Sequence, residues 1–252
     1  MCRWNSGFFY LHPALADYQY YWRVEPDVHF FCDIPYDPFR FLHDNDIVYG
    51  FNMNILDDAR SFASLWKRTK EFIDKRPDLI HPGADLSWLV DDAANGGEYN
   101  NCQFFSNFEI GSLDFFRGEA NRAYFEYLDS GEVSGFYYER FGDAPVHTLS
   151  LALFTSKQQQ WYFRDIGYQH DIARHCPGIE VRRGACDCEA TSLDENFYKL
   201  VPMESPQRKP QDSCLRLWLG GEWLDRQDGW DMEVDRALGG DGLGGYVKRK
   251  FE

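Results

Sequence analysis

The sequence predicts a mixed α/β fold, and three observations lead there. Aromatic, β-rich runs alternate with amphipathic helical stretches at short intervals. A length of 252 residues with 44% hydrophobic and 17% aromatic content suffices to bury one sizeable core. No repeat of fixed period is visible, which argues against a solenoid or a propeller.

Residues 13–24 run from a Pro-started, helix-prone segment into an aromatic strand over 20–24, and apolar character resumes over 28–31. Glu25 and Asp27 therefore lie on a connection. Residues 46–55 (DIVYGFNMNI) alternate as a strand, with Asp57 or Asp58 offered as the N-cap of a following helix. In that helix Phe62, Leu65, Trp66, Thr69, Phe72 and Ile73 recur at helical spacing and predict a core-facing stripe. Residues 93–101 read as a loop, and 102–110 (CQFFSNFEI) as a short strand delivering Asn107 and Glu109. Ser112 caps a helix that continues in pieces to about Leu128, where 131–135 interrupts it. Asp143 and Pro145 start another helix running through His147, Leu149 and Leu153. His147, on this apolar helix, reads as a satisfied core residue. The clusters Phe8-Phe9-Tyr10, Phe104-Phe105 and Phe136-Tyr137-Tyr138 read mainly as core, although sugars also stack on such rings.

Beyond about Pro202 the chain turns to Pro, Gln, Lys and Gly around one amphipathic island, 214–224. Residues 1–190 are thus expected to form the folded unit and 191–252 a wrapping or partly disordered tail. The G-x-G-x-x-G pattern at 240–245 has no leading strand and no following helix. It reads as tail rather than as a dinucleotide fingerprint.

A balance of 26 basic against 41 acidic residues gives a formal charge of −15, which repels phosphate backbones and anionic membranes. Nucleic acid is excluded as a natural partner on that ground. No apolar run approaches the roughly 20 residues needed to cross a bilayer, so the chain as given reads as soluble. Seven cysteines include the group His175-Cys176 and Cys186-Asp187-Cys188, but no second paired motif at zinc spacing accompanies it. Disulfides in an oxidising lumen are the preferred reading, with an odd thiol left over.

The run Tyr21-Trp22-Arg23-Val24 breaks into Glu25-Pro26-Asp27. Two carboxylates leaving a strand end are hard oxygen ligands suited to a divalent cation and the diphosphate it carries, as a sugar transferase needs. The other reading is a polar turn after a strand. Arg23 either holds phosphate or donor sugar or pairs with Asp27 or Asp33. Glu109 suits a carboxylate beneath an oxocarbenium-like centre, as nucleophile or as electrostatic support. Asp143 accepts from a sugar hydroxyl, caps its helix, or does both.

Six segments in order then carry a resemblance: MCRWNSGFFY (1–10), YYWRVEPDVHFFCDIPYDPF (20–39), YGFNMNI (49–55), SNFEIGSLDFFR (106–117), ERFGDAPVH (139–147) and YFRDIGYQHDIARHCP (162–177). The chain resembles the fungal α-1,2-mannosyltransferases of glycosyltransferase family 15 over residues 1 to about 178, and only weakly near 214–219. The resemblance implies a GT-A type nucleotide-diphospho-sugar transferase fold with a mixed sheet flanked by helices. It also implies GDP-mannose as donor, Mn²⁺ as metal, retention of the α configuration, and a mannosylated glycoprotein or oligosaccharide as acceptor on the lumenal side of the Golgi membrane. Carried over by position, Glu25 and His170 match the metal-binding acid and histidine, and Glu109 matches the acid beneath the sugar. Arg23 and Asp27 fall on the donor side, and Asp143 joins Glu109 among the catalytic candidates. Mn²⁺ accepts such a mixed oxygen and nitrogen set.

The resemblance also implies an N-terminal truncation, since family members carry an anchor, a stem and nucleotide-binding strands before the segment that begins here at Met1. On that expectation the chain keeps the metal and acceptor half of a site and lacks most of the base-binding half. The alternative to a transferase is a non-catalytic carbohydrate-binding remnant of the same fold. A glycoside hydrolase using Glu25 and Glu109 is a third reading, which leaves the metal-type acid and histidine motifs without a purpose.

Overall fold

The computed structural model describes residues 1–57, 62–91, 97–131, 134–171, 173–179, 182–189, 214–215 and 217–219. Helix α1 (Cys2–Gly7) leads into two short 3-10 turns, the second with Pro13 at its start and the His12 ring accepting from the Ala14 N–H. Strand β1 (Tyr20–Val24) follows, then a turn at Asp27 in the left-handed region (φ 59°), then β2 (Val28–Phe30). Asp is among the few residues that adopt that conformation cheaply. Helix α2 (Pro38–Asp44) starts on a signal of its own: the Asp37 carboxylate accepts from the Phe39 and Arg40 amides, with Pro38 at the first helical position.

The stretch expected as one strand over 46–55 is two. Strand β3 (Tyr49–Phe51) and β4 (Asn54–Leu56) join different sheets. The next helix, α3 (Leu65–Lys75), begins several residues later than a cap at Asp57 predicts, and Asp58 lies outside the described residues. A distant carboxylate does the capping instead: Glu139 accepts from the Ser64 amide at 2.7 Å. The helical stripe is buried as expected, at Leu65, Trp66, Thr69 and Phe72.

After β5 (Val90–Asp91) and β6 (Glu98–Tyr99), the segment expected as one strand over 102–110 also splits. Strand β7 (Cys102–Phe104) pairs with β4, whereas β8 (Phe108–Ser112) enters the main sheet. A tight turn separates them, closed by the Phe108 amide donating to the Phe105 carbonyl. Ser112 caps α4 (Leu113–Arg117), and α5 (Glu119–Asp129) continues after Gly118, both as expected. After α6 (Gly135–Tyr138), helix α7 (Asp143–Phe154) is buried at every position from Pro145 onward, an apolar rod through the core. Strands β9 (Gln160–Tyr162), β10 (Tyr168–His170) and β11 (Ala173–His175) complete the set.

The main sheet has the order β1-β8-β3-β9, antiparallel except for the parallel β3/β9 pair. The second sheet, β11-β10-β2, is antiparallel and is joined to the first through the turn at Asp27. The fold is therefore α/β with a mixed sheet and flanking helices, as the alternation predicts. Among the aromatic clusters, Tyr10, Phe104 and Phe136 are core, but Tyr137 and Tyr138 are 67% and 73% exposed, contrary to expectation. Among the described residues no helix is long and apolar enough to cross a membrane.

Three disulfides, Cys32–Cys186, Cys102–Cys214 and Cys176–Cys188, leave Cys2 as the odd thiol. Cys186 and Cys188 are thus both cross-linked rather than gathered for zinc. Cys102–Cys214 ties the C-terminal island to β7. There Trp218 packs edge-on against Phe51 at 4.8 Å, and its indole N–H donates to Gln160 at 3.0 Å. The bond closes a loop of 112 residues, so Cys102→Ser is expected to lower unfolding free energy by about 2–4 kcal/mol. Denaturant titration checks this; a change below about 0.5 kcal/mol would mean that packing alone holds the island.

Candidate active site

Register sets the first two residues. Antiparallel pairing of β1 with β8 puts Arg23 directly opposite Glu109, so both side chains share one face of the sheet. Glu25, two residues past Arg23, continues on that face. Gly111 stands opposite Tyr21, where an added Cβ would meet the tyrosine ring at 2.7 Å. The missing side chain lets Tyr21 lie across β8 beside the Glu109 carboxylate.

Arg23 gathers three carboxylates. Its Nε and Nη2 donate to Glu25 Oε1 at 2.7 and 2.6 Å, and its Nη1 pairs with Asp143 and lies 4.0 Å from Glu109 Oε1. Ser106 and Asn5 also reach the Asp143 carboxylate, at 3.3 and 3.5 Å. Asp143 is thus the first residue of α7 and aims inward; Gly142 occupies the cap. Burial works against its charge, but Arg23 and then His147 outweigh that and hold its carboxyl below the ordinary range. Burial likewise opposes the Arg23 charge, and Asp143 and Glu109 overcome it, raising the guanidinium pKa further. The ion pair anticipated for Arg23 with Asp27 or Asp33 is replaced by Glu25, Asp143 and Glu109. Asp27 is exposed at its turn.

Glu109 is 1% exposed. Its Oε2 accepts from the Tyr49 hydroxyl and lies beside His147 Nδ1, each at 3.0 Å, and His147 Nε2 meets the Asn5 carbonyl at 3.0 Å. His147 is a core residue, as its helix predicts, but its partner is the candidate catalytic carboxylate. The missed signal was spacing: once Asp143 opens a helix, residue 147 lies on the same face one turn on.

His170 reaches the site by a different route. It pairs with Val28 across β10/β2, which hangs from the Glu25–Asp27 turn, and its Nδ1 is 2.9 Å from the Asn107 side-chain amide. The Tyr168 hydroxyl donates to the Asn107 carbonyl at 2.9 Å, and its pKa is pushed up by burial and then by the charge of Glu25. Asn107 thus links the Glu25 side of the sheet to His170. Among the described residues no hydrogen bond reaches Glu25 Oε2 or His170 Nε2, and as placed the Asn107 Nδ2–H donates to His170 Nδ1, which puts the proton of a neutral ring on Nε2. No group of three His, Cys, Asp or Glu side chains forms a cation site among the described residues. A carboxylate oxygen and an imidazole nitrogen are donor types suited to an ion that takes the rest of its shell from a diphosphate or water. Were His170 to ligate a metal through Nε2, its proton would sit on Nδ1 and the Asn107 amide would turn to accept it through its oxygen.

Arg23, Glu25 and Glu109 line one cleft of about 360 Å³ with Phe9, Tyr21 and Trp22. Apolar walls with a few convergent charges are the usual make-up of a small-ligand site. Asp143 and His147 act on it through Arg23 and Glu109.

The mixed sheet with flanking helices thus brings Arg23 and Glu109, side by side on one face, and Glu25, just past the end of β1, to one cleft. The glycolipid 2-α-mannosyltransferase family matches residues 1–201, and this chain belongs to it. It is 42% identical over 215 residues to an O-glycoside α-1,2-mannosyltransferase of Schizosaccharomyces pombe, covering 82% of this chain and 54% of the relative. Identity to glycolipid 2-α-mannosyltransferase 1 of Candida albicans is 47% over 191 residues, 75% of this chain and 43% of the relative. Among solved structures, core-mannan synthase A of Aspergillus fumigatus in its Mn/GDP form superposes with a TM-score of 0.73 at 43% identity. That match covers 87% of this chain and 57% of the other. Mannosyltransferase Ktr4p of S. cerevisiae in complex with GDP gives a TM-score of 0.75 at 37% identity, over 89% and 57%. The chain spans about half the length of the relatives it matches.

Proposed function

We propose that this chain carries catalytic residues of a retaining, Mn²⁺-dependent α-1,2-mannosyltransferase that moves mannose from GDP-mannose to a mannosylated glycoprotein or oligosaccharide. The observation that carries the reading is the convergence of Arg23, Glu25 and Glu109 on one cleft, with His170 tied to the same strand ends through Asn107. In this reading Glu25 Oε2 and His170 Nε2 hold the metal, which when bound neutralises the departing diphosphate. Arg23 fixes the orientation of Glu25 and adds positive charge on the donor side, where Asp27 lies at the turn. Glu109 sets a carboxylate against the oxocarbenium-like carbon, and Asp143, which does not line the cleft, steers Arg23. The three disulfides support a lumenal setting such as the Golgi. The docking of Trp218 supports a tail beyond residue 190 that wraps the folded unit.

The test is product analysis with the full-length gene product, GDP-mannose and methyl α-mannoside, with Mn²⁺ or with a chelator. An α-1,2-linked disaccharide formed only with the metal is the expected result. Transfer that survives chelation removes the metal assignment, and mannose release without nucleotide sugar removes the transferase reading.

A further inference from the structure

Three carboxylates, from Glu25, Glu109 and Asp143, surround the single guanidinium of Arg23 among the described residues. Glu109 and Asp143 are almost wholly enclosed. One cation does not balance three anions in a low-dielectric setting, so a second positive charge is called for. His147 is placed to supply it.

The hydrogen bonds decide where its protons sit. A backbone carbonyl can only accept, so the contact from His147 Nε2 to the Asn5 oxygen requires a proton on Nε2. An ionised carboxylate also can only accept, so the contact from Nδ1 to Glu109 Oε2 requires a second proton on Nδ1. The alternative places that proton on Glu109 and leaves the imidazole neutral. It is disfavoured because Tyr49 donates to the same Oε2 and Arg23 faces Oε1, both of which hold the carboxylate ionised.

Resting on the mannosyltransferase reading, we propose that His147 is a doubly protonated imidazolium that positions Glu109. Held between the Asn5 carbonyl and Glu109 Oε2, it keeps Glu109 anionic and leaves Oε1 to face the sugar. Two donors occupy Oε2, and Oε1 is the oxygen on the Arg23 side of the cleft. His147 touches no substrate; it acts through Glu109 and is a positioning residue. Burial lowers its affinity for a proton, but Glu109 on β8 and Asp143 on its own helix outweigh burial and the repulsion from Arg23 on β1, so its pKa is raised. The neighbouring Tyr49 on β3 and Tyr21 on β1 are neutral phenols, whose pKa values burial and Glu109 push well up. Cys2 on α1, whose pKa burial and then Asp143 raise, stays a neutral thiol beside that carboxylate.

Nitrogen-resolved NMR of ¹⁵N-histidine-labelled protein tests this, with His147→Gln assigning the signals. Both His147 ring nitrogens are expected to be protonated at pH 7, above the ordinary histidine pKa, in line with the raised affinity that Glu109 and Asp143 confer. In Glu109→Gln the signal should revert to a neutral ring at that pH. A wild-type ring with one protonated nitrogen at pH 7 overturns the proposal, whether or not His147→Gln folds. Kinetics add a second arm: His147→Gln should lower kcat about 10–100-fold with KM little changed. The alkaline limb of the wild-type pH profile should disappear with it. If Glu109→Gln loses transfer while His147→Gln keeps the wild-type kcat and pH profile, the inference fails and the mannosyltransferase reading stands. If Glu109→Gln transfers at the wild-type rate, the role of Glu109 fails, while the spectrum still reports the charge of His147.

Discussion

Arg23→Met is expected to lower unfolding free energy by about 3–5 kcal/mol and to abolish mannosyl transfer. Methionine keeps much of the aliphatic stem and removes the charge, so the loss is electrostatic rather than a packing defect. What remains is a set of mutually repelling carboxylates: Glu109 at 1% side-chain exposure, Asp143 at 12% and Glu25 at 26%. Breaking a buried pair from one side leaves the other side's desolvation unopposed. The pH dependence identifies the cause. In the wild type the Asp143 carboxyl sits below its ordinary range, so its stabilising contribution is present above the unfolded carboxylate pKa of about 3.9 and is lost as pH falls through the lowered folded value. In Arg23→Met the same carboxylates gain by being protonated. The gap between the two proteins should therefore narrow between pH 7 and about pH 4.5. Urea titrations at both pH values check this. An equal gap at the two pH values would make the effect one of packing.

The same cluster separates what was readable in the sequence from what was not. Strand β1, helix α7 and the Ser112 cap were legible because each is decided by neighbours in the chain: an aromatic run, a Pro three positions into a helix, a hydroxyl before an amphipathic turn. The late start of α3 was not, because its first amide is satisfied by Glu139, 75 residues away. The breaks after Phe51 and Phe104 were hidden for a similar reason. Each half strand has an acceptable pattern, and only the choice between two partner sheets divides them. Among the candidate site residues, Glu25, Glu109, Asp143 and His170 were singled out by their motifs, whereas the partners of Arg23 depend on the β1/β8 register. His147 was legible as core, and its spacing from Asp143 puts it on the same helix face, but its contact with Glu109 depends on how α7 packs on β8, which no local pattern fixes. Disulfide pairing was equally closed to sequence: Cys102 and Cys214 lie 112 residues apart.

Glu25→Gln is expected to abolish Mn²⁺-dependent transfer while changing stability by less than about 1 kcal/mol. The two effects separate because the two carboxylate oxygens have different tasks. Oε1 accepts from Arg23 Nε and Nη2, and the amide oxygen of glutamine can take its place in the same bonds. The pair is partly solvated, with side-chain exposures of 20% and 26%, so loss of its net charge costs little in folding. Oε2, which accepts no hydrogen bond among the described residues, becomes an NH₂ group that offers a metal two protons and no available lone pair. In the proposed reading one of the two protein ligands would then be gone, His170 alone would hold the ion, and the diphosphate would lose counter-charge as it departs. Electron paramagnetic resonance of Mn²⁺ with GDP measures the binding step apart from turnover. The expected result is weakened metal binding in Glu25→Gln with an unchanged melting profile, alongside loss of product. Wild-type turnover in this variant would remove Glu25 from the site. Lost turnover with intact Mn²⁺ binding would instead make Glu25 an orienter of Arg23, since the remaining contact between residues 25 and 23 is the one the substitution weakens without breaking.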